Sequence, residues 1–434
     1  MIKLIMQKIA CIFSYKMSNW VSCQKIVFNL HKAYALNPDL ELKNYNYALK
    51  QTAGEWLQTA QQIFADQPDT LVIMDHKPHP VHLLQILLPW YNDQPQKPRI
   101  IFHVFGDFTL NYPNWQRLAP LLKNFQVQFL VASKRQKKLF DKFLPEEKAD
   151  ICPFPVDEKD FSYRPQLRSS QRMTWGLKEN EIAFVFTGRL SQQKRIKTLI
   201  TGFAQAWQQS SHKTAHLFLY GHTDDIGDPF LNKMAVEGEY FHTINMAYQS
   251  LPEEIKQRIH FMGAVPNEEL KAVYQGADAL VNLSVHNDED FGMSVAEAQS
   301  SGLPVILTDW GGLADFDRPA YQDSVLFVSV RIGKRSKIIS REETVNALLQ
   351  MMNKETPFDR EKIALMSQEH VGLESCSHAL RKALSKEPAT FTGFSPLLDF
   401  IGRETLLTNT PYMNLNNEIN SLYRDIYSAY VRNH

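Results

Sequence analysis

A surplus of charge of either sign is missing from this chain: 47 Lys and Arg stand against 47 Asp and Glu in 434 residues, for a net charge of zero. That balance argues against non-specific nucleic-acid binding as a main task, because such binding draws on a basic excess. Cysteine is scarce. Cys11, Cys23, Cys152 and Cys376 are widely scattered, which excludes a disulfide framework and shows no metal-ligand spacing. A reducing cytoplasm is the compartment this predicts. Long apolar runs are missing too. The opening MIKLIMQKIACIFSYK is interrupted by Lys3 and Lys8 and is too short to span a bilayer, and no small-residue cleavage site follows it. It reads as a first buried strand of a soluble protein whose membrane contact, at the inner face, is peripheral at most. Neither a short-period repeat nor a low-complexity tract occurs.

What remains is an ordinary globular composition, 44% hydrophobic and 22% charged, in a chain too long for one core. Continuous apolar runs alternate with helical patterns: KIACIF, DTLVIMD, RIIFHVF, VQFLVAS and ADICPFP first, then EIAFVFTGRL, TAHLFLYGH, RIHFMGAV, ADALVNLS, LPVILTD and SVLFVSV. Runs of this kind, without polar alternation, predict parallel sheets covered by helices on both faces. The Pro-rich stretch PFPVDEKDFSYRPQLRSSQR separates the two series. The expected architecture is α/β, with two Rossmann-like doubly wound domains. Domain one covers 1–158 and domain two 159–385. A helical extension over 386–434 can return to the first domain. Ligands of such sheets bind beyond the carboxyl ends of the strands, so residues just after strands carry the functional reading.

Two such places stand out. In FVFTGRLSQQKRIKTLI, a strand gives way to Gly188, Arg189 and Lys194 ahead of a helix. Glycine permits close backbone approach, and an Arg fork, a Lys charge and a helix N-terminus all suit phosphate. The plain alternative is two surface cations. In ADALVNLSVHNDEDFGMSVAEAQSSGLP, the strand is followed by an acidic loop with Glu289. Phe291 and Gly292 then turn the chain into a helix that carries Met293, Ser294 and Glu297 and stops at Gly302 and Pro304. The first-turn amides of Gly292, Met293 and Ser294 can take a diphosphate. Glu297 inside the helix would repel phosphate but can accept hydrogen bonds from the vicinal hydroxyls of a ribose, and Glu289 from those of a second sugar. Asp288 and Asp290 also spell a D-x-D that could hold Mg²⁺. With Arg189 and Lys194 available to neutralise the phosphates, no metal cofactor is expected.

The order of these motifs resembles the donor domain of family-4 retaining glycosyltransferases of the GT-B fold. Gly188, Arg189, Lys194, Glu289, Glu297, Gly302, Pro304, Gly311 and Gly312 meet that family's pattern of G-R, Lys, E-x7-E, G-x-P and Gly-Gly. The resemblance covers about residues 150–330. It implies that Arg189 and Lys194 hold a donor diphosphate, that Glu297 binds the nucleotide ribose, and that Glu289 binds the transferred sugar, with Phe291, Gly292 and Met293 along the donor. VFTGRL and FMGAVP would line the base. In the first domain, His103 at the end of RIIFHVF is the expected catalytic histidine, with Asp107 a weaker candidate. The loop SYKMSNWVSC after the first strand departs from the family, since it has no glycine; Ser14, Lys16 and Ser18 are its polar residues.

The activity so implied is transfer of a hexose-type sugar, with retention, from a UDP- or GDP-sugar to a hydroxyl of a glycolipid, polysaccharide or glycoprotein. A nucleotide-sugar epimerase and a catalytically silent GT-B partner of a glycosylation complex are the competing readings. The basic stretch SKRQKKLFDKF reads as a solvated helix face rather than a contact for an anionic surface. The aromatic last helix, with Tyr423, Tyr427 and Tyr430, reads as packed core or a bridge between domains.

Overall fold

The computed structural model describes residues 6–14, 21–48, 50–75, 80–144, 149–225, 237–318, 324–333, 336–405, 412 and 417–432. The chain divides into two compact units, one of 1–155 with 370–411 and the other of 156–369 with 412–434.

The first unit is built on β1 (Gln7–Phe13), β2 (Leu40–Asn46), β3 (Thr70–Asp75), β4 (Arg99–Val104), β5 (Val127–Val131) and β6 (Asp150–Ile151), ordered β2-β1-β3-β4-β5-β6 with every pair parallel. All residues of β4 and β5 are buried, as the uninterrupted apolar runs require of a sheet covered on both faces. β2 is different. It is an edge strand, LELKNYN, with only Tyr45 buried, so it has no apolar run to betray it.

Residues 370–385, expected in the second domain, belong to the first. Arg99, at the start of β4, donates to the Leu384 and Ala383 carbonyls at 2.8 Å each, and Gln128 donates to Ala383 at 3.2 Å. These bonds satisfy the orphan carbonyls that end the helix Leu373–Leu384. The extension continues on the same unit, where Phe391 and Phe394 join Phe108, Trp115 and Phe129 in an aromatic cluster. The last residues, from 412 onward, instead join the second unit.

The second unit carries β7 (Ile182–Thr187), β8 (Leu190–Ser191), β9 (Ala215–Tyr220), β10 (Thr223–Asp224), β11 (Ile259–Gly263), β12 (Ala279–Asn282), β13 (Val305–Thr308), β14 (Val325–Val328), β15 (Val330–Ile332) and β16 (Lys337–Ile339). Its main sheet is parallel in the order β11-β9-β7-β12-β13-β14, beside a small β10-β8 pair and the antiparallel β15-β16 hairpin. The helix Ile196–Gln209 buries Ile196, Leu199, Ile200, Phe203 and Trp207 in the core, the 3.6-residue spacing of one helical face.

An arginine cluster anchors the amino end of β12. Asp278 pairs with Arg168 at 2.6 Å and Arg172 at 3.0 Å and accepts from the Ala183 amide at 2.8 Å. The acid that leads this strand in the sequence is therefore a structural keystone. Asp278→Asn should leave the buried Arg172 guanidinium without its carboxylate. We expect a loss of about 2 kcal/mol in urea unfolding, below the ~3–5 kcal/mol of a fully buried pair because Asp278 stays partly solvated.

Candidate functional site

β7 and β12 lie side by side where the strand order of the second sheet reverses: β9 and β11 extend one way, β13 and β14 the other. Ligands of doubly wound sheets bind at the carboxyl ends of such a strand pair. Gly188 follows β7 and the acidic loop follows β12, so the topology brings both motifs to one place.

The loop after β7 depends on a close backbone approach. Gly221 has φ +141°, and a Cβ there would lie 1.8 Å from the Gly188 carbonyl oxygen. Only glycine fits. The Gly188 amide donates to Tyr220 O at 3.0 Å and Gly221 N to Gly263 O at 2.8 Å, so the GRL turn and the start of the FMGAVP segment are stitched to the end of β9. Arg189 pairs with Asp224 at 2.8 Å. Lys194 ends the 3-10 turn Gln192–Lys194, and Arg195 behind it takes a left-handed conformation, φ +57°, strained for a non-glycine residue. Val285 N donates to Gln193 O at 2.9 Å, tying this loop to the chain leaving β12.

Lys194 Nζ donates to Glu289 Oε2, a contact that both sequence motifs supply and neither shows alone. The two side chains are 17% and 8% exposed, so each charge is largely removed from water and depends on the other. The acidic loop itself is tightly held. Glu289 N donates to His286 O at 3.1 Å, Asp288 N to His286 Nδ1 at 2.8 Å, and Trp310 Nε1 to His286 O at 2.8 Å. Gly311 and Gly312 press against its backbone. A Cβ at either would lie 2.3 Å from the Glu289 or Asp290 carbonyl oxygen, and Gly312 N donates to Glu289 O at 2.7 Å.

Gly292, φ +97°, caps the helix Met293–Ser300. Met293 and Ser294 are half-buried in its first turn. Phe291 is buried against Phe316, so its ring belongs to the core and only its backbone faces the turn. Glu297 is half-buried and accepts a weak bond from Tyr274 OH at 3.5 Å, while Tyr274 OH meets Thr187 Oγ1 at 2.9 Å. Burial, then the Glu297 charge, pushes the Tyr274 hydroxyl well above its ordinary pKa, so it stays a protonated donor. The sequence reading missed Tyr274. It sits in a helix four residues before Asp278 with nothing to distinguish it from core. Asp224 was missed as well, because β10 is only two residues long. Among the described residues no group of three or more His, Cys, Asp or Glu side chains is placed to hold a metal ion.

The first unit corrects the sequence reading. β4 runs to Val104, so His103 lies within the strand, paired with Met74 and Leu130. Its ring is 4% exposed and its Nε2 meets Tyr34 OH at 3.0 Å. Burial pushes its pKa down to about 3. This is a neutral core histidine, and the argument from an open strand end does not hold. Asp107 is fully buried and caps a 3-10 turn through Thr109 N at 2.9 Å. Lys16 and Ser18 lie outside the described residues; Ser14 is buried. In the basic stretch, Gln136, Leu139 and Phe140 are buried and Lys134 and Lys138 exposed, the pattern of an ordinary surface helix.

A histidine that is neutral when folded and titrates normally when unfolded withholds a proton that the unfolded chain binds below about pH 6.5. Stability is complete above that value and falls as pH drops from there toward 3. His103→Gln should reduce this loss: the difference in unfolding free energy between pH 7 and pH 4.5 should be smaller by about 1–2 kcal/mol in urea titrations of the two proteins.

Residues 168–332 match the family model described as Glycosyl transferases group 1. The D-inositol 3-phosphate glycosyltransferase of Nocardia farcinica is 27% identical over 172 residues, 39% of this chain and 34% of that protein. The lipopolysaccharide 1,2-N-acetylglucosaminetransferase of Salmonella typhimurium is 23% identical over 197 residues, 45% and 48% of the two chains. The match to the first three curated relatives spans 39%, 34% and 33% of their length. In fold the likeness extends further. Anabaena HepE, solved in complex with UDP, superposes with a TM-score of 0.63 over 88% of this chain and all of its own, at 13% identity. The lipopolysaccharide outer core galactosyltransferase WaaB does so with a TM-score of 0.59 over 87% and 99%, at 15% identity. No helix among the described residues is long and apolar enough to cross a membrane. The strand order and these likenesses lead to one statement: residues 168–332 of this chain are similar to the glycosyl transferases group 1 family, within a GT-B fold.

Proposed function

We propose that this chain is a retaining glycosyltransferase that moves a hexose-type sugar from a UDP- or GDP-sugar to a hydroxyl of a glycolipid, polysaccharide or glycoprotein. The observation that carries the reading is the Lys194–Glu289 pair at the switch point of the second sheet. A cation beside a carboxylate complements what a sugar diphosphate presents, anionic phosphate oxygens beside hydroxyl donors. HepE was solved with UDP and glucose, ligands of this class.

In this reading Arg189, Lys194 and the Gly292, Met293 and Ser294 amides bind the diphosphate. Glu297, with Tyr274 donating to it, binds the ribose. Glu289 holds hydroxyls of the transferred sugar. As the glycosidic bond breaks, negative charge builds on the leaving phosphate, and fixed cations and amides aimed there lower the barrier. The sugar becomes oxocarbenium-like, the acceptor hydroxyl attacks from the leaving-group face, and its proton passes to the departing phosphate. The chain's own cations supply the neutralisation, so the reaction needs no metal.

Lys194→Ala should lower transfer by about 100-fold, the scale of one lost charge-stabilising contact, and Glu297→Gln by about tenfold, the scale of a lost hydrogen bond to a charged group, in proteins whose circular dichroism is unchanged. A panel of UDP-, GDP- and ADP-sugars in thermal shift names the donor, since a ligand at 100 times its Kd stabilises by about 2.7 kcal/mol. Wild-type rates in both variants would sink the assignment. Transfer should persist in EDTA; a rate that vanishes there and returns with Mg²⁺ would restore the D-x-D reading.

A further inference from the structure

The last helix, Asn417–Tyr427, and the turn Ser428–Tyr430 bring a tyrosine cluster onto the acidic loop. Three polar groups converge on one side-chain amide, that of Asn287, which is 1% exposed and two residues before Glu289. Asn287 Oδ1 accepts from Tyr423 OH at 2.9 Å and from Lys337 Nζ at 2.7 Å, and Asn287 Nδ2 donates to Tyr427 OH at 3.1 Å. Lys337 lies 5.4 Å from the Trp310 ring centre and 5.8 Å from that of Tyr423. Its carbonyl accepts from Arg195 NH2 at 3.0 Å, next to Lys194 in the other loop. Trp310, which donates to His286 O, stacks on Tyr427 and forms a β-bridge with Val431.

An irregular loop has no ladder to hold it, and a buried polar network is rigid only when every member is satisfied. Here the satisfied amide of Asn287 joins the acidic loop to the β15–β16 hairpin and the end of the chain. We propose that Tyr423, Tyr427 and Lys337 are positioning residues for the donor sugar, acting through Asn287 to hold Glu289 where it meets the sugar's hydroxyls. The inference rests on the glycosyltransferase reading above and deepens it. It assigns the C-terminal segment a part in sugar recognition that the nucleotide half of the donor does not need.

The test compares bare nucleotides with nucleotide sugars in the full chain. Affinities for UDP, GDP and ADP, and for a panel of UDP-, GDP- and ADP-sugars, are measured by calorimetry for wild type and for the double variant Tyr423→Phe, Tyr427→Phe, which removes both hydroxyls and keeps both rings. We expect nucleoside-diphosphate affinity to stay within about twofold, while the extra affinity conferred by the sugar and the kcat each fall by about tenfold or more, the scale of the two buried hydrogen bonds lost. Should the double variant not fold, either single variant carries the same comparison with a smaller fall. A variant that keeps the sugar's contribution and kcat overturns the positioning role and leaves the glycosyltransferase reading standing. Equal losses for nucleotide and nucleotide sugar also overturn it, because they mark a general structural role. A wild type that gains nothing from any sugar of the panel overturns the glycosyltransferase reading, and this inference with it.

Discussion

The pairing of Lys194 with Glu289 is the contact on which the arrangement of the second unit's two motif loops depends. Both side chains are largely withdrawn from water, and a lone charge in that setting is costly. Each therefore needs a partner of opposite sign, and the fold supplies it by bringing two separate strand ends together. Lys194 is placed by a 3-10 turn and the strained Arg195 behind it, Glu289 by the glycines packed on its backbone. Under the proposed reading a diphosphate takes over Lys194, and the released carboxylate then needs donors. Sugar hydroxyls are such donors. Occupation of the phosphate half of the site would thus prepare the sugar half, with no requirement for a large movement of the chain.

The glycines serve that arrangement by what they lack. Gly221 admits the Gly188 carbonyl, and Gly311 and Gly312 admit the carbonyls of Glu289 and Asp290, at distances where a methyl group would collide with backbone. Backbone cannot swing aside as a side-chain tip can, so these positions are steric apertures. They let two loops, each without regular ladders, be fixed by neighbouring main chain. Preorganised dipoles and charges of this kind act without reorganisation at the moment of reaction, and rigidity is their prerequisite.

Much of this was legible in the sequence because it rests on short-range rules. Continuous apolar runs gave away the buried strands, and strand-end position marked Gly188 and the acidic loop. What escaped is governed by partners far along the chain. β2 is an edge strand with one buried residue and so lacks the apolar run. His103 looks like a strand-end ligand until Tyr34 in a helix is found opposite its ring. The leading acid of β12 resembles a motif residue, yet its role is set by two arginines more than a hundred positions earlier. Residues 370–385 follow the second domain without a break in composition, and only the need of their helix-end carbonyls for Arg99 assigns them to the first unit.

Chain path adds a constraint on how the site is completed. The chain passes between the units after residues 155, 369 and 411. The acidic loop, though placed by β12 and Gly311–Gly312, finds its Asn287 partners 136 and 140 residues later, at Tyr423 and Tyr427. The entropy of closing so long a loop grows only with the logarithm of its length, so the distance along the chain adds little to the cost of this contact. What the last segment then has to supply is local: a few buried rings on Trp310 and the hydroxyls that satisfy Asn287. The second unit's main sheet is built without these partners, while Asn287, in the loop bearing Glu289, takes two of its three from Tyr423 and Tyr427.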